Sequence, residues 1–552
     1  MEKIWLNRYQ QQVPAEINPD VYQSLDQLFV DACEKFHALP ALSFFHQSIS
    51  YGQWSDLSRS LAAYLQQQLQ LCKGTKVALM LPNCPQYMIS IFAILQAGLV
   101  VTNVNPFYTL PEFVQQVDHS QAELLIILNN FLPNVIQSIT KTRIKYVITT
   151  HLGDMLTWPR SWLVNVAANW QIKNQKQKNS AMHPIDWLVA LKAGRRLTLS
   201  TVATKREDLA FLQYTGGTTG TPKGAMLTHR NMLANLEQLT AWVRPILKEG
   251  QETFITALPL YHIFSLMVNG LMCVRLGGKN CLIPDARNIK QLIQILSNTA
   301  FSTLLGVNTL FKALLRHRAF TKLDFSHLKI ALGGGAPIQS NVKICWKKVT
   351  GKLLLEGYGL TEASPVVCAP PWDLVVAGDS VGLPLPSTDI RLCDDKKNEV
   401  RNGEIGELWV KGPQVMQHYW MQAADVEYAL TPDGWLLTGD LARIDQQGFV
   451  FIVGRKKELI LVSGFNVYPE EVEHVIQQNP KVKEVAVIGV PSEKTGEAIK
   501  AFVVRADQSL TAEELLVYCR SELTAYKLPH EIKFLKYLPK STLGKILKKN
   551  LY

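Results

Sequence analysis

The amino-acid sequence predicts an α/β protein in which sheets flanked by helices are followed by an antiparallel, strand-rich part and a small α+β domain. Short apolar runs alternate with helical patterns over most of the 552 residues, as is typical of sheets with helices on both faces. The sequence pattern changes after residue 380. The runs GEIGELWVKGP (403–413) and GFVFIVGRKK (448–457) are rich in strand-forming residues and interrupted by glycine, which predicts antiparallel strands. A compact helix and strand pattern begins at Tyr468.

The strands predicted in the first part are short apolar runs that follow one another with helices between them. They are KVALMLP at 76–82, ELLIIL at 123–128, KYVITT at 145–150, FLQYT at 211–215, TLLGV at 303–307 and KIALGGG at 329–335. The longest apolar stretch, 87–104, approaches the ~20 residues that span a bilayer, but polar side chains such as Ser90 and Gln96 interrupt it. We therefore predict a buried helix that runs into a buried strand, with Gly98 as the break between them.

The last part reads as a unit of about 85 residues with its own core. Its elements are a helix (EEVEHVIQQ), two strands (EVAVIGV and IKAFVVR) and a second helix (AEELLVYCRSEL). This change of pattern predicts a boundary near Arg455, with a large domain of residues 1–455 and a small domain of residues 456–552.

Composition and charge narrow the class of protein. With 47% hydrophobic residues the chain can bury large cores, which excludes a disordered or collagen-like chain. An excess of 57 basic over 46 acidic residues favours anionic partners, either phosphates, nucleic acid or a lipid surface. Nine cysteines without a CxxC pair and an N-terminus without an apolar signal run predict a cytoplasmic location.

The segment 158–196 combines tryptophan with basic residues, a composition that suits an interfacial membrane contact. The tryptophans are Trp158, Trp162, Trp170 and Trp187, and the basic residues include Lys173, Lys176 and Lys178. Two interpretations stay open: the segment contacts the anionic inner face of a membrane, or it is a solvated excursion whose tryptophans cover the neighbouring core.

The segment most informative about chemistry is YTGGTTGTPKG, Tyr214 to Gly224, which follows a strand and precedes the helix-like MLTHRNMLANLEQL. Its glycines, threonines and lysine can offer backbone N–H groups, hydroxyls and a cation to a polyphosphate. It is not a Walker loop, because Pro222 precedes Lys223 and Gly224 follows it, whereas that motif needs Gly-Lys and then Ser or Thr.

This loop resembles the phosphate loop of the adenylate-forming superfamily of acyl-CoA synthetases, and the resemblance recurs in order along the whole chain. The matching motifs are PLYHIF (259–264), GGGAP (333–337), EGYGLTEASP (356–365), DGWLLTGDLARID (433–445), GRKKELILVSGFNVYPEEVE (454–473) and PKSTLGKILKK (539–549). The amino-acid sequences of several of these motifs most resemble those of bacterial long-chain fatty-acid–CoA ligases. The resemblance implies a large domain with layered sheets and a distorted β-barrel-like part, and a small C-terminal domain that turns about a hinge.

The resemblance implies a ligase that joins a fatty acid to AMP and then transfers the acyl group to CoA, with ATP and CoA as substrates and Mg²⁺ as cofactor. Thr215 and Glu362 would bind the Mg²⁺, and Asp440 would accept hydrogen bonds from the ribose. The nucleotide-binding residues it implies are Thr215, Gly216, Gly217, Thr218, Thr219, Gly220, Lys223, Gly334, Gly335, Ala336, Gly357, Tyr358, Gly359, Thr361, Asp440 and Arg455.

By the same resemblance, Lys545, His262 and Lys223 are the catalytic candidates: Lys545 would bridge the acyl carboxylate and the nucleotide, His262 would orient the acid, and Lys223 would hold the departing pyrophosphate. Lys457 matches the hinge position. Ser463, Gly464 and Phe465 would line the pantetheine tunnel, and Phe264, Val307 and Leu310 are candidates for the acyl pocket.

Two alternatives remain beside a long-chain ligase. One is an adenylate-forming ligase for medium-chain or aryl acids, or one that loads acyl-AMP onto a carrier protein. The other is a basic binding protein for nucleic acid or membrane that keeps the fold without catalysis; retention of Lys223, Glu362, Asp440, Arg455 and Lys545 argues against it. The expected partners are therefore fatty acid, ATP and CoA rather than nucleic acid, and the oligomeric state, a homodimer included, stays open.

Overall fold

The computed structural model of the chain describes residues 2–170, 183–215, 223–421, 429–541 and 544–552. Two seven-stranded sheets form its larger part. In the first, six strands are parallel and the last pairs antiparallel with its neighbour. In spatial order these strands are Ile185–Asp186, Tyr146–Thr150, Leu124–Leu128, Lys76–Met80, Val100–Asn103, Leu209–Thr215 and Lys223–Thr228.

The second sheet has the same design, six parallel strands and an antiparallel edge hairpin, but it draws its strands from distant parts of the chain. In spatial order they are Leu355–Glu356, Ile330–Gly333, Thr303–Gly306, Thr253–Thr256, Lys279–Leu282, Pro40–Phe44 and Gln47–Ser50. All six strands predicted for this part of the chain are confirmed, within two residues at their ends.

The α-helices of this part lie between and around the two sheets. Those of eight residues or more are Leu25–Lys35, Tyr51–Ala63, Pro85–Gln96, Leu110–Ser120, Arg160–Trp170, Trp187–Gly194, His229–Val243, Ile289–Ser297, Asn308–Leu315 and Ser340–Thr350. Single-turn helices lie at Leu132–Val135, Ile263–Ser265 and Met272–Arg275.

The helix Pro85–Gln96 explains the long apolar stretch of the sequence. It contacts strands of both sheets, and its residues from Pro85 to Leu95 are all buried, as expected for a helix that is apolar on every side. It is followed by Gly98 at φ +72° and the buried strand Val100–Asn103, so the predicted helix, break and strand are confirmed. Within the described ranges, no helix has both the length and the apolar character needed to cross a bilayer.

Two small antiparallel sheets form the strand-rich part, where the distorted β-barrel-like region is expected. One contains Tyr358–Gly359, Val366–Ala369 and Leu383–Pro384; the other contains Asp389–Cys393, Gly406–Lys411, Leu436–Ile444 and Val450–Arg455. A bridge between Gly382 and Val450 joins them.

The last sheet belongs wholly to the C-terminal part, where the predicted α+β pattern is confirmed. Its strands are Phe465–Val467, Ile460–Val462, Gly496–Arg505, Val482–Ser492 and Glu531–Leu535, and its helices are Pro469–Gln478 and Ala512–Glu522. Its core is separate from the larger one and is built from aliphatic side chains of these elements, Val472, Ile476 and Leu515 among them. A separate core is what allows such a unit to turn as a body.

Candidate active site

The predicted phosphate loop is the connection of a β-hairpin. Thr215, the last residue of the strand Leu209–Thr215, is the register partner of Lys223, the first residue of the strand Lys223–Thr228. The two ends of the loop are therefore adjacent. The helix expected after the loop is present, but it begins at His229, three residues after the start of the helix-like run MLTHRNMLANLEQL. The capping box of Thr228 and Asn231 delays the helix to His229, and the residues before it continue the sheet. Gly216, Gly217, Thr218, Thr219 and Gly220 lie outside the described residues.

Glu362 lies in the turn Thr361–Ala363, which packs against both strands of this hairpin. The Tyr419 hydroxyl donates a hydrogen bond to Glu362 Oε1 at 2.6 Å. The Lys223 Nζ lies 5.3 Å from the centre of the Tyr419 ring, within the range of a cation–π contact. Tyr419 therefore connects the lysine and the carboxylate that the sequence pointed to separately.

Sequence reasoning missed Tyr419. The tyrosine pairs with Ala225 across an isolated bridge, and the N–H of Trp420 bonds to the carbonyl of Gly224 at 2.8 Å. The segment thus runs alongside the hairpin strand as one more strand-like stretch. Its sequence, QVMQHYWM, contains no chemical motif, and only the aromatic pair hints that it packs against something.

The residues expected to bind magnesium fit that ion by their chemistry. Among the described residues, no group of three or more His, Cys, Asp or Glu side chains is arranged so that it could hold a metal ion. Glu362 offers one carboxylate and Thr215 one hydroxyl at the base of the phosphate loop. Mg²⁺ takes oxygen ligands, and in nucleotide sites it is bound by one or two carboxylates together with substrate phosphates.

A second group of predicted residues forms a buried contact between two sheets. The Tyr358 hydroxyl donates to Asp440 Oδ2 at 2.5 Å, and Arg455 Nε donates to Asp440 Oδ1 at 2.8 Å. Asp440 and Arg455 are register partners on neighbouring strands, and only 3% of Asp440 is exposed. Burial raises the pKa of Asp440, while Arg455 and the Tyr358 hydroxyl act in the opposite direction. The carboxylate is a desolvated acceptor held by two donors.

The glycine loop at the carboxyl end of the strand Ile330–Gly333 meets the predicted acyl pocket. A Cβ added at Gly334 would lie 3.1 Å from the Phe264 ring, and Gly335 has φ +76°, which favours glycine. Gly357 donates to the carbonyl of Gly333 at 3.0 Å, and Ala336 follows on the same loop. Gly359 lies so close to the backbone of Pro365 that a side chain there would clash.

The other acyl-pocket candidates have different surroundings. Val307 caps the helix Asn308–Leu315 at the end of the strand Thr303–Gly306. Leu310, one turn further, is packed into a hydrophobic core with Phe311 and Leu314. Only Phe264 and Val307 stand at the carboxyl ends of the strands, the position where ligands bind in open α/β sheets.

His262 begins the short helix Ile263–Ser265, and its Nδ1 accepts the N–H of Phe264 at 3.4 Å. Burial lowers the pKa of His262 to about 4, because no acidic partner compensates for the lost hydration. The imidazole is therefore neutral near pH 7 and can orient a bound group, whereas it carries no charge with which to neutralise one.

The C-terminal domain brings Lys545 to the second group of residues. Burial, followed by the nearby charge of Arg455, lowers the pKa of Lys545, while Asp440 raises it. Its neighbour Gly544 lies against Thr309 of the large domain. The segment around Lys545 therefore contacts the large domain directly. Lys545 of the small domain therefore lies within electrostatic range of Asp440 and Arg455 of the large domain.

The remaining predicted residues lie in the segment that connects the large and small domains and in a turn of the small domain. Lys457 lies in the turn Lys456–Glu458, directly after Arg455. Ser463 and Gly464 form a tight turn at φ +51° and +83°. Phe465 is half exposed and stacks on Tyr526 of the same domain at 4.8 Å.

Comparisons with known proteins match almost the whole length of the chain. A family model described as AMP-binding enzyme matches residues 29–420, and one described as AMP-binding enzyme C-terminal domain matches residues 471–545. The chain is 50% identical over 551 residues to a long-chain-fatty-acid–CoA ligase of Salmonella typhimurium, covering 100% of this chain and 98% of the relative. It is 36% identical over 553 residues to a protein of the same name from Bacillus subtilis, with the same coverage.

Solved structures share the fold over almost the whole length. The ATP-bound RpMatB–BxBclM chimera B3 superposes with a TM-score of 0.81 at 27% identity, covering 95% of this chain and 98% of that chain. The anthranilate CoA ligase AuaEII, in complex with anthranoyl-AMP, superposes with a TM-score of 0.83 at 23% identity, covering 97% and 98%. The second likeness concerns the fold alone.

Proposed function

From the premise that this chain belongs to the family of AMP-binding enzymes, we propose how the residues of its cleft divide the work of a long-chain fatty-acid–CoA ligase. The chain is an ATP-dependent, AMP-forming acid–thiol ligase that converts fatty acids to acyl-CoA. A carboxylate is a poor electrophile. The reaction therefore first converts it into a mixed anhydride with AMP, which a thiolate can attack.

In the first step a carboxylate oxygen of the fatty acid attacks the α-phosphorus of ATP, and the bond to pyrophosphate breaks. Positioning and charge neutralisation supply most of the catalysis for such a displacement. Lys223 and Thr215, together with the loop between them, bind the leaving pyrophosphate. Glu362, oriented by Tyr419, and Thr215 hold Mg²⁺, which when bound neutralises phosphate charge.

Lys545 neutralises the two anions that meet in this step, the acyl carboxylate and the α-phosphate. The ribose hydroxyls donate to Asp440, which Arg455 and Tyr358 hold in place, and the Tyr358 ring offers a flat face to the base. Neutral His262 orients the carboxyl group of the acid. The glycine loop and Phe264 separate the nucleotide from the acyl chain.

In the second step the C-terminal domain turns about Lys457 and presents the turn Ser463 to Asn466 to the pantetheine arm. The CoA sulfur attacks the carbonyl carbon of the acyl-adenylate, AMP leaves, and the thiol proton passes to solvent or to AMP. The positive φ of Ser463 and Gly464 exposes the backbone of this turn, which allows a close approach to an extended ligand.

One arrangement carries the proposal: Gly544 of the small domain lies against Thr309 of the large domain, and the neighbouring Lys545 lies near enough to the Asp440 and Arg455 pair for both charges to shift its pKa. The test is a mass-spectrometric product assay with ATP, Mg²⁺, CoA and acids from short to long chain. It compares the wild type with Lys545→Ala, and with Lys549→Ala as a control on an exposed neighbour.

We expect acyl-CoA and AMP, greatest with long-chain acids, lost in Lys545→Ala and retained in Lys549→Ala. Acyl-AMP without acyl-CoA would favour loading of a carrier protein. Equal activity of the two variants would refute the role of Lys545, and a preference for aryl or medium-chain acids would refute the long-chain assignment.

We also propose a peripheral contact with an anionic lipid surface through the helix Arg160–Trp170 and the preceding residues Trp158 and Pro159. Trp158 is 83% exposed and Trp162 is 59% exposed, and Leu163 lies beside them in water. Trp187, in contrast, is fully buried in the core, so the core-covering interpretation holds for that residue. The side chain of Trp170 and residues Lys173, Lys176 and Lys178 lie outside the described residues.

The contact is tested by sedimentation with liposomes that contain anionic lipid. The double variant Trp158→Ser and Trp162→Ser should bind less than the wild type, and Tyr537→Ser, which removes another exposed aromatic side chain, should bind equally. Binding should also weaken as salt increases. Unchanged sedimentation of the double variant would refute the contact.

A further inference from the structure

A buried lysine lies among three carboxylates close to Lys545. Lys548 Nζ is 2.9 Å from Glu458 Oε2, 2.9 Å from Glu473 Oε1 and 3.9 Å from Glu470 Oε1. Its side chain is only 14% exposed. Burial by itself would lower the pKa of Lys548, but the three carboxylates outweigh it and the pKa is raised. The Lys548 ammonium therefore stays charged and offsets the repulsion between the carboxylates of Glu458, Glu470 and Glu473.

The three carboxylates come from elements that frame the entry to the small domain. Glu458 ends the turn Lys456–Glu458, next to Lys457. Glu470 and Glu473 lie on the helix Pro469–Gln478, and Glu473 also accepts the N–H of Val487 at 2.7 Å. Lys548 thus connects the end of the chain to the segment that enters the domain.

The residues just before Lys548 form a narrow hairpin with Lys545 near its tip. Lys540 and Ile546 pair across it, the N–H of Leu547 bonds to the carbonyl of Pro539 at 2.9 Å, and Ser541 donates to the carbonyl of Lys545 at 2.7 Å. Thr542 and Leu543 lie outside the described residues. The hydrogen bonds within this hairpin hold its two legs together but do not fix its orientation relative to the rest of the small domain. The hairpin can therefore tilt as a unit about its base.

Ion pairs hold both legs of the hairpin at its base. On the incoming leg, Lys540 Nζ lies 2.6 Å from Glu484 Oε1 on the strand Val482–Ser492. On the outgoing leg, Lys548 bonds to Glu458 and Glu473. Only the second anchor reaches the turn beside Arg455, the residue that holds Asp440.

We propose that Lys548 is a positioning residue for adenylation: its ion pairs with Glu458 and Glu473 fix the hairpin relative to the hinge segment, so that the Lys545 ammonium reaches the cleft. The idea rests on the role proposed above for Lys545. In that scheme the transfer to CoA uses the turn at Ser463 and not Lys545. Loss of the anchor should therefore slow the first step and spare the second.

The experiment measures the two half-reactions separately on the full-length enzyme. The first is pyrophosphate release from ATP and a long-chain acid without CoA. The second is acyl-CoA formation from chemically prepared acyl-AMP and CoA. Lys548→Met is compared with the wild type, with Lys545→Ala and with Lys549→Met, whose lysine is exposed and forms no ion pair with a described residue.

We expect Lys548→Met to slow the first half-reaction about 10- to 100-fold, the loss that a displacement of about 1 Å of a catalytic group causes. The second half-reaction should stay within about twofold of the wild type, and Lys548→Arg should recover part of the first. If both half-reactions of a folded variant fall together, or if neither falls, Lys548 is not a positioning residue. If Lys545→Ala itself keeps the first half-reaction, it is the proposed role of Lys545 that fails.

A second variant covers a possible failure to fold, because Lys548→Met leaves three carboxylates without their cation. Glu458→Gln removes only the carboxylate of the hinge turn and leaves Glu473 and Glu470 to pair with Lys548. It should give the same selective loss in the first half-reaction, smaller in size. Equal rates of this variant and the wild type in both half-reactions would overturn the proposal.

Discussion

Substitution of Asp440 by asparagine is the sharpest test of the nucleotide site. It removes one negative charge and leaves the size of the side chain unchanged. Two donors hold the carboxylate from the protein side, Tyr358 at 2.5 Å and Arg455 at 2.8 Å. The Tyr358 hydroxyl can rotate to accept a hydrogen bond from the new amide, so the pocket should keep its shape.

The expected loss in ATP affinity follows from the hydrogen bonds of a buried carboxylate. A hydrogen bond to a charged group contributes about 1.5–3 kcal/mol, and asparagine retains one of the two acceptor oxygens. Loss of one such bond to the ribose should raise the dissociation constant for ATP about 10- to 150-fold. The loss of protein stability should be smaller, about 1 kcal/mol, because 44% of the Arg455 side chain is exposed and water can solvate it.

The assay is equilibrium titration of ATP in the absence of fatty acid. The matched control is Asp395→Asn, which also breaks an ion pair, at 2.9 Å to Lys456, but whose side chain is 90% exposed. The control should bind ATP as the wild type does, since exposed ion pairs contribute little. A change of less than about threefold in Asp440→Asn would correspond to under about 0.7 kcal/mol and would refute the reasoning.

Three further predictions concern single side chains. Tyr419→Phe keeps the ring beside the hairpin and removes the hydrogen bond to Glu362, so the Mg²⁺ concentration for half-maximal pyrophosphate release should rise about 3- to 10-fold; an unchanged magnesium dependence would refute the link. Burial raises the pKa of Glu470 from 4.5 to about 7, so the folded state holds this proton more tightly than the unfolded chain, and the carboxyl lowers stability as the pH rises through that range. Glu470→Gln should accordingly raise the melting temperature by about 2–5 °C at pH 8 and leave it unchanged at pH 4.5; equal shifts at both pH values would count against this sign. The nuclear magnetic resonance signals of His262, assigned by their absence in His262→Asn, should not titrate between pH 6 and 8, because its pKa is lowered to about 4; a midpoint near 6.5 would show that the imidazole is hydrated.

Local patterns in the sequence predict the strands, the buried helix and the residue types of the site. Apolar runs bounded by glycine or polar residues located the strands of the large domain, and Gly98 marked the break after the buried helix. These patterns are local, because burial and backbone conformation act over a few neighbouring residues. The glycine loops and the lysine near the C-terminus were likewise visible as motifs.

Which of these residues come into contact depends on the packing of distant elements. Glu362 and Tyr419 are 57 residues apart, and Tyr358 and Asp440 are 82 apart, yet each pair shares a hydrogen bond. Such contacts depend on how sheets pack and on strand register, which no local pattern encodes. For the same reason local patterns do not predict that the strand Lys223–Thr228 precedes the helix, and they do not single out Lys548. A lysine among many lysines differs from the others only by the three carboxylates that folding places around it.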